Sequence, residues 1–347
     1  MKLDHNFWKE KNILITGHSG FKGSWLSLIL SQLGSKVTGI SIENTCSDLY
    51  NSISNEKIYE EEYFIDISNS ESEVLKRVFK ENKFDIIFHL AAQALVPKAV
   101  KEPLETFKVN VFGTYNILKY SLEYETSKSV VVSTTDKVYR DSSNFNTETS
   151  PLGGYEFYSS SKVSQEMIIE SFKKLNEEFN ISTVRSGNVL GPGDGGEGRI
   201  MTDLITSLKS NENIILRQPN SIRPWQYILD SLSGYILVAE DNYKKKSSNV
   251  FNLNSSLNNE ITVLEITQKL IKMWNSKIKI VTEKSKEFYE SDQLRLDSSK
   301  AENLLNWESS FSIDEILENI VEWEMLKDKN LKEKYIMTQI KEYIKNL

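Results

Sequence analysis

The 347 residues are 39% hydrophobic and 26% charged, an ordinary soluble balance with enough chain for one large α/β domain or two modest ones. A formal net charge of -7 argues against nucleic acid as the partner. One cysteine, Cys46, excludes an internal disulfide framework and a cysteine-based zinc site, and His5, His18 and His89 lack ligand spacing, so no metal is expected.

The first segment, "MKLDHNFWKEKN", is charged and has no apolar core of the signal-peptide kind. No run approaches roughly 18 consecutive apolar residues, so no membrane contact and a cytoplasmic location are expected. The first predicted strand is "NILIT" (12–16), and "WLSLILSQLG" (25–34) then carries apolar residues at helical spacing. Between them lies "GHSGFKG", with Gly17, Gly20 and Gly23 flanking Ser19, Phe21 and Lys22. Such glycines permit a tight turn, backbone approach to a pyrophosphate and close helix–sheet packing, while the helix N-terminus offers N–H groups to the anion. The GxxGxxG spacing points to short-chain dehydrogenase-like dinucleotide binding. The second strand, "KVTGIS" (36–41), runs into "GISIENT", where Glu43 can take a ribose 2′-hydroxyl and no arginine or lysine is present, so NAD is favoured over NADP. Asp66 in "FIDIS" follows the next strand, and either holds an adenine amino group or caps a helix.

"DIIFHLA" (85–91), "SVVVSTT" (129–135) and "ISTVRS" (181–186) are further strands, with "VFGTYNILKYSLEY" (111–124) a helix between two of them. Continuous apolar strands joined through helices predict a doubly wound parallel sheet with ligand sites at the strands' carboxyl ends. The fifth strand ends at that edge in "TTDKVY", an acid and a base side by side. Downstream, "YSSSK" places Tyr158 and Lys162 four apart on one helix face. A phenol of ordinary pKa about 10 is a poor base at neutral pH. A neighbouring ammonium is expected to stabilise its phenolate and make it able to deprotonate a substrate hydroxyl. His18 and His89 are read as structural.

Beyond residue 187 the pattern changes to a glycine-rich loop, "GNVLGPGDGGEGR", and to "MTDLITSLKS" and "TVLEITQKLIKMW", helices without regular strand partners. The expected division is 1–187 for the dinucleotide domain with 224–254 returning to it. Residues 188–223 and 255–327 then form a smaller substrate lobe, and 328–347 a C-terminal helical tail. Charge patterning reads that tail as a solvated surface helix.

Taken together, "TGHSGFKGSWLSLILSQLG", "FHLAAQALV", "NVFGTYNIL", "TTDKVY", "PLGGYEFYSSSK", "RSGNVLGPGD" and "IRPWQYILDSLSGY" resemble the nucleotide-sugar 4,6-dehydratases of the extended short-chain dehydrogenase/reductase superfamily, the CDP-glucose type most. The resemblance spans about residues 12–236, and weaker similarity reaches about 325. It implies a Rossmann fold of the extended type, a tightly held NAD and an enzyme of the hydro-lyase class. It also implies a homodimer built through a four-helix interface. Thr135 is implied to hydrogen-bond the sugar O4, Asp136 to act as acid, Lys137 as base, and Tyr158 with Lys162 to oxidise C4. Ile67, Ala91, Ala92, Gln93 and Asn110 join the glycine loop and Asp66 as implied cofactor contacts. Asn188, Arg199, Arg217 and Arg223 fall in segments that grip the nucleotide diphosphate, for which arginine's planar fork is suited. Pro97, Lys98, Val100 and Gly195 depart from that pattern and leave the base and sugar open, so another nucleotide sugar is the alternative. An epimerase or reductase needs Tyr158 and Lys162 but not the Asp136–Lys137 pair, and a non-catalytic dinucleotide sensor needs neither.

Overall fold

The computed structural model describes residues 3–54, 57–127, 129–140, 145–196, 198–255, 259–283 and 295–347, so Glu197 of the glycine-rich loop lies outside the described residues. In chain order the first strands are β1 (Asn12–Thr16), β2 (Lys36–Ser41), β3 (Tyr59–Phe64), β4 (Ile86–His89), β5 (Ser129–Thr135) and β6 (Ile181–Ser186). They are followed by β7 (Asn188–Leu190), β8 (Ile214–Leu216), β9 (Ile222–Tyr227), β10 (Val250–Leu253), β11 (Glu260–Thr262) and β12 (Ile280–Thr282). Seven of them form one parallel sheet in the order β10-β6-β5-β4-β1-β2-β3. The direction of winding reverses between β1 and β4, which opens a crevice at their carboxyl ends.

Because both faces of this sheet are covered, its inner strands are apolar along their length instead of alternating. Val130, Val131 and Val132 of β5 are all fully buried. One face packs under the helices Phe21–Gln32 and Ile228–Lys245, around Trp25, Leu28, Leu232 and Ile236. The other packs under Glu73–Glu81, Thr114–Glu123 and Phe157–Leu175, around Leu75, Ile117 and Ile169. The doubly wound sheet and strands β1, β2, β5 and β6 match the sequence expectation, which did not single out β10 or the helices Glu73–Glu81 and Ile228–Lys245, and three further differences stand out.

First, β4 stops at His89, so Ala91 and the residues after it leave the sheet to line the crevice. Second, the region beyond residue 187 has strands that periodicity did not reveal: a three-stranded sheet β11-β9-β7 and a two-stranded sheet β12-β8. Each of β7, β8, β11 and β12 is three residues long, too short for a two-residue period to register. Third, the helix Lys329–Asn346 is not a solvated tail. Ile336, Ile340 and Ile344 form a stripe at four-residue spacing that buries against the helix Phe21–Gln32. Tyr343 Oη donates to Asp230 Oδ1 at 2.9 Å, and Tyr227 Oη donates to Gln339 Oε1 at 2.9 Å. The lysines and glutamates around the stripe had masked it.

A docked helix predicts a strong asymmetry between its faces. Ile340→Ala should lower the unfolding free energy by about 2–5 kcal/mol in urea titrations, whereas exposed Lys341→Ala should change it by less than about 0.5 kcal/mol.

Candidate active site

The crevice is built first by glycines. Gly17 has φ +76°, a left-handed conformation, and a Cβ there would lie 2.8 Å from the Ala91 nitrogen. A Cβ on Gly23 would lie 2.0 Å from the Gly17 carbonyl oxygen, so only glycine lets the helix Phe21–Gln32 sit this close to β1. Gly20 caps that helix without a side-chain hydrogen bond, leaving its first N–H groups for an anion. Ser19 Oγ donates to Ser41 Oγ at 2.7 Å and ties the loop to the end of β2. Phe21 is buried, and Glu43 is exposed just past β2. This backbone cradle, with a helix N-terminus at its floor and an acid at the ribose end, fits a dinucleotide.

The remaining cofactor positions gather around it. Asn110 lies in a π-helical turn, Lys108–Gly113, a distortion that turns its amide inward. Its Oδ1 accepts from the Gln93 N–H at 2.8 Å, and its Nδ2 donates to the Gln93 carbonyl (3.0 Å) and to Ser161 Oγ (2.9 Å). Ala91 and Ala92 are half-buried beside it, and Ile67 is buried against Gly113. Asp66 is exposed, and its Oδ1 accepts from the Ser68 N–H at 2.8 Å, so this oxygen caps a turn. Lys22 points inward: its Nζ donates to Ser186 Oγ at 2.7 Å and to Tyr235 Oη at 3.4 Å.

The catalytic candidates meet where β5 ends beside the helix Phe157–Leu175. That helix begins at Glu156, whose carboxylate accepts from the N–H groups of Tyr158 and Ser159, both at 2.6 Å, fixing Tyr158 in the first turn. Tyr158 and Lys162 are both buried. Burial lifts the Tyr158 phenol well above its ordinary value. The Thr135 hydroxyl and the Arg199 charge oppose this, and the Asp136 and Glu156 charges add to it. The expected depression of this phenol by Lys162 is not seen in the protein alone. Lys162 Nζ instead donates to the Ser133 carbonyl (3.2 Å) and Gln165 Oε1 (2.9 Å). Burial, and then the nearby Lys22 cation, push Lys162 itself down to about 7.

Thr135 Oγ1 donates to Asp136 Oδ1 at 2.9 Å, and Lys137 Nζ stands 3.6 Å from that same oxygen. Asp136 is buried and its Oδ2 has no protein partner. It lies at Gly187, where a Cβ would be 3.3 Å from Oδ2. An acid with one unmatched buried oxygen beside a part-exposed amine is a pair able to give and take protons, not a closed surface bridge.

The positions expected to grip the nucleotide are more dispersed. Asn188 opens β7, which pairs with β9, and Arg223 of β9 is buried. Arg199 precedes the helix Ile200–Ser210, and its Nη1 donates to both Asp194 carboxylate oxygens at 2.9 Å. Arg217 is exposed one residue past β8. His89 is structural: buried, it bonds Thr16 and Thr114 at 2.7 and 2.9 Å, and burial holds it down to about 3 and therefore neutral. His18 Nε2 bonds Glu62 at 2.9 Å beneath the loop.

Sequence reading missed two supports. Ser133 Oγ and Tyr235 Oη are 2.7 Å apart and join the Lys22 group to β5. Glu166, one turn past Lys162, forks Arg185 of β6, with Nε to Oε1 at 2.9 Å and Nη2 to Oε2 at 3.0 Å. The signals were present: Tyr158, Lys162 and Glu166 repeat every four residues, and Arg185 is the one charge of the fully buried β6.

A glycine cradle at the switch point of a doubly wound sheet, facing a tyrosine and a lysine one turn apart, makes this an extended short-chain dehydrogenase/reductase. Solved structures agree: UDP-glucose 4-epimerase of Thermotoga maritima superimposes with a TM-score of 0.79 at 25% identity, over 90% of this chain and 97% of that one. The fold also matches dTDP-glucose 4,6-dehydratase of Bacillus anthracis, with a TM-score of 0.76 at 23% identity over 94% and 98% of the chains. In sequence, the protein is 36% identical to CDP-glucose 4,6-dehydratase of Salmonella typhimurium over 336 residues, 92% of each chain. Human dTDP-D-glucose 4,6-dehydratase is 28% identical over 76% of this chain and 74% of its own length. Residues 14–320 match the GDP-mannose 4,6 dehydratase family, and the chain belongs to that family.

Two expectations test the site. Gly23→Ala should abolish dinucleotide binding measured by calorimetry, because its methyl would overlap the Gly17 carbonyl. Between about pH 7 and the ordinary lysine value of 10.5, Lys162 is neutral in the folded chain but protonated in the unfolded one. Its burial cost is therefore full below about pH 7 and is relieved as pH rises through that window. Urea unfolding across the window should show a rise in stability that Lys162→Met flattens.

Proposed function

We propose that the protein is an NAD-dependent hydro-lyase that removes water from a nucleotide-activated hexose, CDP-glucose first, leaving its 4-keto-6-deoxy form. The observation that carries this reading is the buried Asp136 with its unmatched Oδ2 and Lys137 beside it, at the strand end that also presents Thr135 and faces Tyr158. Thr135 orients the sugar O4, and the Tyr158 phenolate takes its proton. NAD, held by the Gly17–Gly23 cradle, would supply the acceptor for the C4 hydride and its return to C6, and its positive charge would favour the Tyr158 phenolate. The C4 ketone acidifies the C5 proton, which Lys137 removes while Asp136 protonates the C6 hydroxyl as it leaves as water, and Lys137 gives a proton back to C5 as the hydride returns to C6. An epimerase would have no use for this acid–base pair.

Asn188, Arg199, Arg217 and Arg223 are assigned to the nucleotide diphosphate, with residues 188–223 and 255–327 as the substrate lobe. Residues 1–187 with 224–254 form the cofactor domain, and 328–347 pack against it. A soluble nucleotide sugar and NAD as reactants support a cytoplasmic location. For the second copy, the outer faces of Thr114–Glu123 and Phe157–Leu175 are suited. They form an apolar groove of about 430 Å³ lined by Tyr115, Leu122, Ile168, Phe172 and Leu175. Leu175 is 81% exposed and Met167 60%, more apolar surface than a monomer needs.

The test is incubation with CDP-, UDP-, GDP- and dTDP-glucose, read by mass spectrometry. Loss of one water from CDP-glucose, with no net NADH, is the expected result. Loss from another nucleotide keeps the chemistry and corrects the substrate, and loss from none rejects the reading. Asp136→Asn and Lys137→Met should each slow water loss by about a hundredfold or more. In analytical ultracentrifugation the parent should sediment as a dimer and a Met167→Asp, Leu175→Asp variant as a monomer.

A further inference from the structure

The Asp136 side chain is held at one of its two oxygens, by Thr135 Oγ1 at 2.9 Å. Asp136 Oδ2 has no partner, and Lys137 Nζ is 3.6 Å from Asp136 Oδ1. The chain on either side of them is pinned. On the near side, Thr134 Oγ1 donates to Glu166 Oε1 at 2.7 Å. On the far side, Tyr139 is buried, its Oη donating to Asn252 Oδ1 at 2.6 Å and accepting from Arg185 Nη1 at 2.9 Å. The Arg185 guanidinium also lies 5.0 Å from the centre of the Tyr139 ring, and the same guanidinium forks Glu166. One network of buried bonds therefore runs from the helix bearing Tyr158 and Lys162, through β6, to both ends of the Asp136–Lys137 segment. Tyr158 is placed without it, by its own helix and the Glu156 cap.

From this we propose that Tyr139 is a positioning residue for the elimination step alone: its hydroxyl fixes the Asp136–Lys137 segment against the substrate, and C4 oxidation does not depend on it. The inference rests on the dehydratase reading above. In balance, oxidation moves a hydride from C4 and a proton from O4, and elimination moves a proton from C5 and a hydroxyl from C6. Only the second pair uses the groups that Tyr139 holds.

Tyr139→Phe keeps the ring and removes the two bonds. A displacement of about 1 Å at a reacting group costs on the order of a hundredfold in rate, and that is the loss of water release expected here. Exchange of the C5 hydrogen with deuterated solvent should fall in step. Absorbance of reduced nicotinamide should build up during turnover, because oxidation continues while elimination stalls. The thermal midpoint should stay near that of the parent. Glu166→Gln, which weakens the same network from its other end, should shift the balance between the two steps in the same direction. Equal loss of both steps in Tyr139→Phe, parental water release, a variant that fails to fold, or an opposite shift in Glu166→Gln overturns the proposal. A parent enzyme that neither exchanges C5 nor loses water overturns the dehydratase reading itself, and is recognised before any substitution is made.

Discussion

The geometry of the catalytic edge depends on one buried ion pair, Glu166 with Arg185. Taking a carboxylate and a guanidinium out of water is costly, and their attraction compensates only when geometry and additional hydrogen bonds are good. Here both conditions hold. The pair is forked, Thr134 donates to the carboxylate, and the remaining guanidinium nitrogen donates to Tyr139 Oη and the Glu148 carbonyl. Breaking either partner would strand the other charge inside the protein. The pair thus earns its place through orientation: it ties the helix Phe157–Leu175 to β5 and β6 and, through Thr134 and Tyr139, holds both ends of the Asp136–Lys137 segment.

Directly above this closed network the charges are left unclosed. Lys162 is met by a carbonyl and an amide oxygen and by no carboxylate contact, while Asp136 keeps one oxygen unmatched. Lys22, near enough to repel Lys162, is likewise bonded to hydroxyls. Groups of this kind are strained in a low-dielectric setting, and their ionisation shifts readily when another charge arrives. A satisfied layer beneath an unsatisfied one is how a rigid scaffold keeps reactive groups near their switching point.

Much of this was legible in the amino-acid sequence, for identifiable reasons. Buried parallel strands are continuous apolar runs, so β1, β2, β5 and β6 could be bounded closely, and Gly17 and Gly23 are required by backbone crowding that no other residue relieves. Tyr158 and Lys162 declare themselves through helical spacing. The network that supports them does not, since Arg185 and Tyr139 join through contacts distant in sequence, and the small sheets of the lobe are too short to carry a period. The lift that burial gives the Tyr158 phenol in the protein alone was not legible, because spacing shows which groups share a face but not how dry that face is. The C-terminal helix was misread because three isoleucines were outweighed by the surrounding charges.

That helix ties together two parts of the chain that a ribosome makes far apart in time. The helix Phe21–Gln32 emerges early, yet Trp25 and its neighbours gain part of their cover only from Ile336, Ile340 and Ile344. Loop closure over such a separation is slow, and apolar surface waiting for it is open to wrong partners. The glycine cradle thus reaches its final packing only after translation has passed residue 344, and a nascent chain halted earlier would present a cofactor domain with one flank still bare.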